Sequence, residues 1–129
     1  MPVPRLPRLE FQIMDVLWAK GDSSIREIQE SFPAAARPAY TTIQTTLYRM
    51  ESKEVVRRVK KVGNFHIFSA VVTRDAVQRR LVDDLLAFFG GRTQTFMAHL
   101  VESGKLSLED IKEAERVLGE LKSEENQSS

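Results

Sequence analysis

The sequence predicts a mainly α protein of 129 residues: three helices, a two-stranded hairpin, then three further helices. Three observations carry this. Apolar residues recur at helical spacing through most of the chain. The exception is the window 55–70, dense in β-branched and aromatic residues around Gly63-Asn64, a pair suited to a tight hairpin turn. Charge is also divided unevenly. Residues 1–72 hold 11 basic and seven acidic side chains, a net +4, and residues 73–129 hold 8 and 11, a net −3, so the overall +1 is a near-cancellation. Such asymmetry suits a polyanion-binding module joined to a module with a different task.

The first helix is expected over Pro7–Ala19, where Leu9, Ile13 and Leu17 repeat, flanked by Met14 and Trp18, and Lys20-Gly21-Asp22 ends it. Ser24-Ile25-Arg26-Glu27 has capping-box spacing, in which Ser and Glu side chains satisfy orphan backbone N–H groups. A short helix follows with Ile25, Ile28 and Phe32 inward, stopped near Pro33. Pro38 suits the first turn of a third helix, where its missing N–H costs nothing.

That third helix is the most informative element. Tyr40, Ile43, Leu47 and Met50 share an inward face; Thr41, Thr45, Arg49 and Ser52 lie opposite, flanked by Thr42 and Tyr48, with Gln44 near the boundary. Hydroxyl and amide groups with little negative charge suit close approach to phosphates and base edges. In the hairpin, Val55–Val62 and Phe65–Ala70 form the strands, with Phe65 and Ile67 on one face and His66 and Phe68 on the other. Within 37–61, seven basic residues (Arg37, Arg49, Lys53, Arg57, Arg58, Lys60, Lys61) face only Glu51 and Glu54. Three helices followed by a basic hairpin is the order of a winged helix-turn-helix. The third helix would enter a major groove of double-stranded DNA with its N-terminal residues on base edges. Arg57, Arg58, Lys60 and Lys61 of the two-stranded wing would grip phosphates. The competing reading is a winged helix that docks protein and has no DNA affinity.

The acidic half reads as a helical dimerisation region. Thr73 can cap a helix through Phe89, with Val77, Leu81, Leu85 and Phe88 in one stripe and Val82, Leu86 and Phe89 in another; Gly90-Gly91 ends it. A short helix carries Phe96, Met97, Leu100 and Val101, and a last one, opening at Ser107-Leu108, aligns Leu108, Ile111, Ala114, Leu118 and Leu121. These small helices bury too little by themselves, so a second copy of the chain is expected to cover Val77, Leu81, Leu85, Phe88, Phe96, Leu100, Ile111 and Leu118. The expected boundaries are 1–72 for the winged helix and 73–122 for dimerisation, with a disordered polar tail over 123–129.

Enzymatic chemistry finds no support. The absence of cysteine removes thiol nucleophiles and thiolate metal sites. His66 and His99 have no metal-ligand spacing, Asp83 and Asp84 point in different directions on a helix, and there is no glycine-rich phosphate loop. No cofactor or metal is expected. No apolar run reaches the roughly 18 residues of a membrane helix, and Met1-Pro2-Val3-Pro4-Arg5 lacks the apolar stretch of a signal peptide, so the cytoplasm is the expected compartment.

Four segments carry a resemblance to a known family. Leu9–Trp18 resembles the first helix of the penicillinase and methicillin-resistance repressors (BlaI/MecI), relatives of copper-responsive repressors. Thr42–Met50 is similar to their recognition helix, Phe68–Thr73 to the exit from their wing, and Gly104–Ile111 to the approach to their last helix. The likeness covers nearly the whole chain. It implies a homodimeric transcriptional repressor on a short palindromic operator, released when a signal reaches a membrane-bound sensor metalloprotease. It also implies that Thr41, Thr42, Gln44 and Thr45 are the DNA-contacting positions of the third helix, with Arg49 nearby. Two departures stand out. Thr41 and Gln44 replace basic residues of the family's DNA-contacting helix, which implies a different operator, since Gln pairs with adenine edges and Arg favours guanine. The family's Asn-Phe cleavage bond corresponds to His99-Leu100 here. Copper sensing through a C-terminal cysteine cluster is excluded by the composition.

Overall fold

The computed structural model describes residues 3–128. The elements are α1 (Arg8–Lys20), β1 (Ser23–Ser24), α2 (Ile25–Glu30), a 3-10 turn (Ala34–Ala36), α3 (Tyr40–Ser52), β2 (Val56–Val62), β3 (Phe65–Ala70), α4 (Arg74–Phe88), α5 (Thr93–Glu102) and α6 (Leu108–Ser128). They fall into two compact units, Met1–Asp83 and Asp84–Ser129.

In the first unit, Ile13, Met14 and Leu17 of α1, Ile28 of α2, and Ile43, Leu47 and Met50 of α3 meet Val55, Val56 and Phe68 in one core. The capping box of α2 forms as expected, Ser24 Oγ accepting from the Glu27 N–H while Glu27 accepts from the Ser24 N–H. The bond from the Ser24 N–H, followed by the Ser24 side chain, holds the Glu27 carboxyl below its ordinary pKa. α3 starts at Tyr40, later than expected. Pro38 stays outside the helix, its carbonyl accepting from Gln29 Nε2 at 3.1 Å. Tyr40 is exposed, and Thr46 is buried in the core face instead, its hydroxyl returning to the Thr42 carbonyl at 2.7 Å.

The expected two-stranded wing is a three-stranded antiparallel sheet in the order β1-β3-β2. Ser23 and Ser24 pair with Phe68 and Ile67, so β3 is central and loses its free edge. Gly63 alone adopts a positive φ in the β2–β3 turn (60°), as the first position of a II′ hairpin requires. The register slips between Arg58 and Lys60, making Val59 the extra residue of a bulge. Arg58 therefore lies opposite Phe68 and Lys60 opposite Ile67, which puts them on opposite faces despite their two-residue spacing.

The first unit extends beyond residue 72 into α4, because Val77 is buried in its core. Thr73 caps α4, its hydroxyl accepting from the Ala76 N–H at 3.1 Å. Trp18 donates its indole N–H to the Val72 carbonyl at 3.0 Å, and the Arg74 guanidinium lies 5.3 Å from the Trp18 ring centroid.

Glu10 is an acid buried in the first unit (1% exposed); both its oxygens accept from Lys53 Nζ, at 2.8 and 3.0 Å. At the end of α3 the Val55 N–H bonds the Met50 carbonyl and the Glu54 N–H the Glu51 carbonyl, a Schellman closure. Its left-handed position is Glu54, at φ 63°, whereas α4 and α5 place Gly90 and Gly104 there. A side chain in that conformation costs about 1–2 kcal/mol, and glycine's extra freedom in the unfolded chain offsets part of the relief. Glu54→Gly is accordingly expected to stabilise the first unit by about 0.5–1 kcal/mol. The urea midpoint followed by Trp18 emission measures it, and an unchanged or lower midpoint would count against strain at Glu54.

The second unit is different in kind: among its described residues none is buried. Gly90 and Gly91 close α4 through bonds to the Ala87 and Leu86 carbonyls. Phe89 meets Phe88, Phe96 and His99, with ring centroids 5.8, 5.3 and 5.6 Å apart. Ser107 and Asp110 form a capping box at the start of α6, which depresses the Asp110 pKa. α6 continues as far as Ser128, through the polar segment whose composition suggests disorder; Ser129 lies outside the described residues. The stretch Ser123–Gln127 holds neither Gly nor Pro to stop it.

Candidate nucleic-acid interface

The core fixes which face of α3 is free. With Ile43, Thr46, Leu47 and Met50 buried, Thr41, Thr42, Thr45 and Arg49 are left exposed and Gln44 half-exposed. The expected reading face is therefore on the surface, hydroxyls toward the N-terminal end and Arg49 toward the C-terminal end. Its single acid, Glu51, is neutralised by Arg58, whose Nε lies 2.9 Å from Glu51 Oε2.

The basic residues of 37–61 divide sharply once partners are assigned. Arg37 caps the end of α2 by donating to the carbonyls of Glu30 and Phe32. Lys53 is committed to Glu10, and Arg58 to Glu51. Arg58 also lies 5.0 Å from the Tyr48 ring centroid and 5.6 Å from that of Phe68. Arg49, Arg57, Lys60 and Lys61 are exposed, and among the described residues no ion pair involves them. These four are the cations free to meet an anion. Lys61 lies opposite His66, on the same sheet face as Arg58; Arg57 and Lys60 lie opposite Ser69 and Ile67 on the other face. The wing so carries uncompensated charge on both faces.

The sheet and α3 meet beside Gln44. A cavity of about 120 Å³ is lined by Tyr40, Gln44 and Tyr48 of α3, by Ile25, and by Asn64, Phe65 and His66 at the wing tip. Gln44 Nε2 donates to the Tyr48 hydroxyl at 3.0 Å. Sequence reasoning places Tyr48 only on the flank of the exposed face; the i,i+4 spacing permits its bond to Gln44, but the seating of Arg58 on its ring depends on the bulge and is not legible.

Of the residues expected to pair two chains, Val77 is buried within the first unit, and its side chain is occupied there. Leu81 is exposed in that unit. In the second unit Leu85, Phe88 and Leu118 are exposed at 47, 86 and 54%, while Phe96, Leu100 and Ile111 are half-buried. His99-Leu100 lies inside α5, with His99 exposed. Among the described residues no cluster of side chains is suited to a metal, and no helix is long and apolar enough to cross a membrane.

The penicillinase repressor family model matches residues 6–120. The chain belongs to the penicillinase repressor family. The family resemblance carried by the first helix, the third helix, the exit from the wing and the approach to the last helix is thereby established, and with it membership of a family of transcriptional repressors, not enzymes. It is 31% identical over 120 residues to the transcriptional regulator BlaI of Mycobacterium tuberculosis, covering 91% of this chain and 85% of that protein. It is 22% identical over 113 residues to the penicillinase repressor of Staphylococcus aureus, covering 87% and 89%. The methicillin resistance regulatory protein MecI of Mammaliicoccus sciuri is 24% identical over 109 residues, 84% of this chain and 89% of that one.

Proposed function

We propose that this member of the penicillinase repressor family is a cytoplasmic homodimer that represses transcription by binding a pseudo-palindromic DNA operator. The observation that carries the reading is a hydroxyl- and amide-bearing α3 face, stripped of negative charge by Arg58, beside four cations without acidic partners. The N-terminal part of α3 enters the major groove and sets Thr41, Thr42, Gln44 and Thr45 against base edges. Arg49, Arg57, Lys60 and Lys61 bind phosphates and fix the register. The second unit, none of whose described residues is fully buried, supplies the contact between two copies, and half-sites then lie about 10 bp apart or a multiple of it. Relief comes from a signal-dependent event, with a membrane-bound sensor metalloprotease pathway as the candidate. A cut at His99-Leu100 requires α5 to open first, since a protease takes its substrate extended and this bond is helical.

Gel-shift of the protein on its own promoter region tests the reading; competitor DNA that abolishes all binding equally, whatever its sequence, would sink it. Two variants separate grip from readout. Arg57→Ala/Lys60→Ala/Lys61→Ala is expected to weaken every duplex alike and to reduce the salt slope by about 0.9 for each phosphate left without its cation. Gln44→Ala is expected to leave that slope alone and to relax preference at one base pair per half-site, by about tenfold. If the two variants behaved alike, the division between helix and wing would be wrong.

A further inference from the structure

We propose that Tyr48 and Arg58 are positioning residues for Gln44, so that Arg58 of the wing serves base specificity and not phosphate binding; the inference rests on the reading of α3 as the base-reading helix. The chain of contacts is continuous. The Arg58 guanidinium is held by Glu51 Oε2 at 2.9 Å and packs over the rings of Tyr48 and Phe68, at 5.0 and 5.6 Å from their centroids. Phe68 is fully buried, so one wall of this slot is anchored in the core. The other wall is the Tyr48 ring, and its hydroxyl accepts from Gln44 Nε2 at 3.0 Å.

The chemistry of the amide gives the arrangement its use. A glutamine side chain has two N–H donors and one carbonyl acceptor, and reading adenine bidentately takes one donor and the acceptor. With its other N–H on Tyr48, Gln44 keeps the pair that adenine requires and loses rotamers that would present the amide in other directions. Tyr48 is itself 40% exposed, so the surrounding core does not fix its ring; the guanidinium stacked on it does. The bulge at Val59 makes this available, because it puts Arg58 opposite Phe68 and sends Lys60 to the other face. A guanidinium whose charge and planar face are both engaged is poorly placed to take up a phosphate.

The test compares Tyr48→Phe, Arg58→Ala and Gln44→Ala in the full chain, with operator duplexes carrying each base pair at the position that Gln44→Ala relaxes. Tyr48→Phe removes only the hydroxyl and is expected to flatten the preference at that position by about fivefold. Affinity for unrelated duplex and the salt slope should stay at the wild-type value. Arg58→Ala is expected to flatten the same position with an unchanged slope. The double variant Gln44→Ala/Tyr48→Phe should be no flatter than Gln44→Ala alone. Full preference in Tyr48→Phe, in a protein whose Gln44→Ala variant has lost it, overturns the positioning role. A reduced salt slope in Arg58→Ala returns Arg58 to the phosphates and overturns its part. If Gln44→Ala itself keeps every preference, the base-reading assignment fails first and the inference falls with it. Trp18 emission, which reports the first unit, checks that each variant is folded.

Discussion

Lys53→Met is expected to lower the unfolding free energy of the first unit by about 3 kcal/mol, a large fraction of what holds a small domain together. The reason is the asymmetry of its ion pair. Glu10 is 1% exposed and has both carboxylate oxygens on Lys53 Nζ, whereas the Lys53 side chain is 28% exposed. Removing the lysine strands a buried carboxylate. Removing the acid leaves a lysine whose flexible stem can carry its charge into water. Glu10→Gln is therefore expected to cost only about 1 kcal/mol. Replacing both, Glu10→Leu with Lys53→Met, should recover most of the loss, because well-packed apolar side chains substitute for a buried pair at little net cost. Trp18 is the sole tryptophan and bonds the Val72 carbonyl, so its emission during urea unfolding reports this unit directly. Equal losses in the two single variants would contradict the asymmetry.

The same pair shows where a sequence stops being informative. Glu10 sits beside Leu9 in a helix whose apolar stripe is obvious, yet nothing local says that the acid points inward. Its partner is 43 positions away, and in the sequence Lys53 is one more cation of a basic cluster. Legible features depend on short-range periodicity. The free face of α3 follows from 3.6-residue spacing, and the caps at Ser24, Thr73 and Ser107 follow from spacings of three. Illegible ones depend on contacts across the fold. Ser23-Ser24 has no strand pattern; it becomes a strand because the edge of β3 is there to be paired. Val59 gives no local signal of a bulge, so sequence alone groups Arg58 with its basic neighbours in the wing. Val77 shows a further limit: a stripe announces that something must cover it, and does not say whether that is the same unit or a second chain.

Phe88→Asp/Leu118→Asp is expected to make the chain monomeric at micromolar concentration and to reduce operator affinity by about 100-fold or more, since two linked half-site contacts become one. Both side chains lie in the second unit, exposed at 86 and 54%, so charge there does little to an isolated chain. Burial against a second copy would make those carboxylates very costly. The need for such burial is physical. Helices α5 and α6 are amphipathic in sequence, but among the described residues of 84–129 no side chain is fully buried, and helices whose apolar faces are only partly covered are marginal in water. The variant should therefore also lose helical circular dichroism on dilution at higher concentrations than the wild type, with Trp18 emission from the first unit unchanged. Sedimentation reads the oligomeric state, and gel-shift reads the affinity. A double variant that still sediments as a dimer would place the contact elsewhere. A wild-type chain that is monomeric at micromolar concentration would remove the homodimer altogether, and the twofold operator with it.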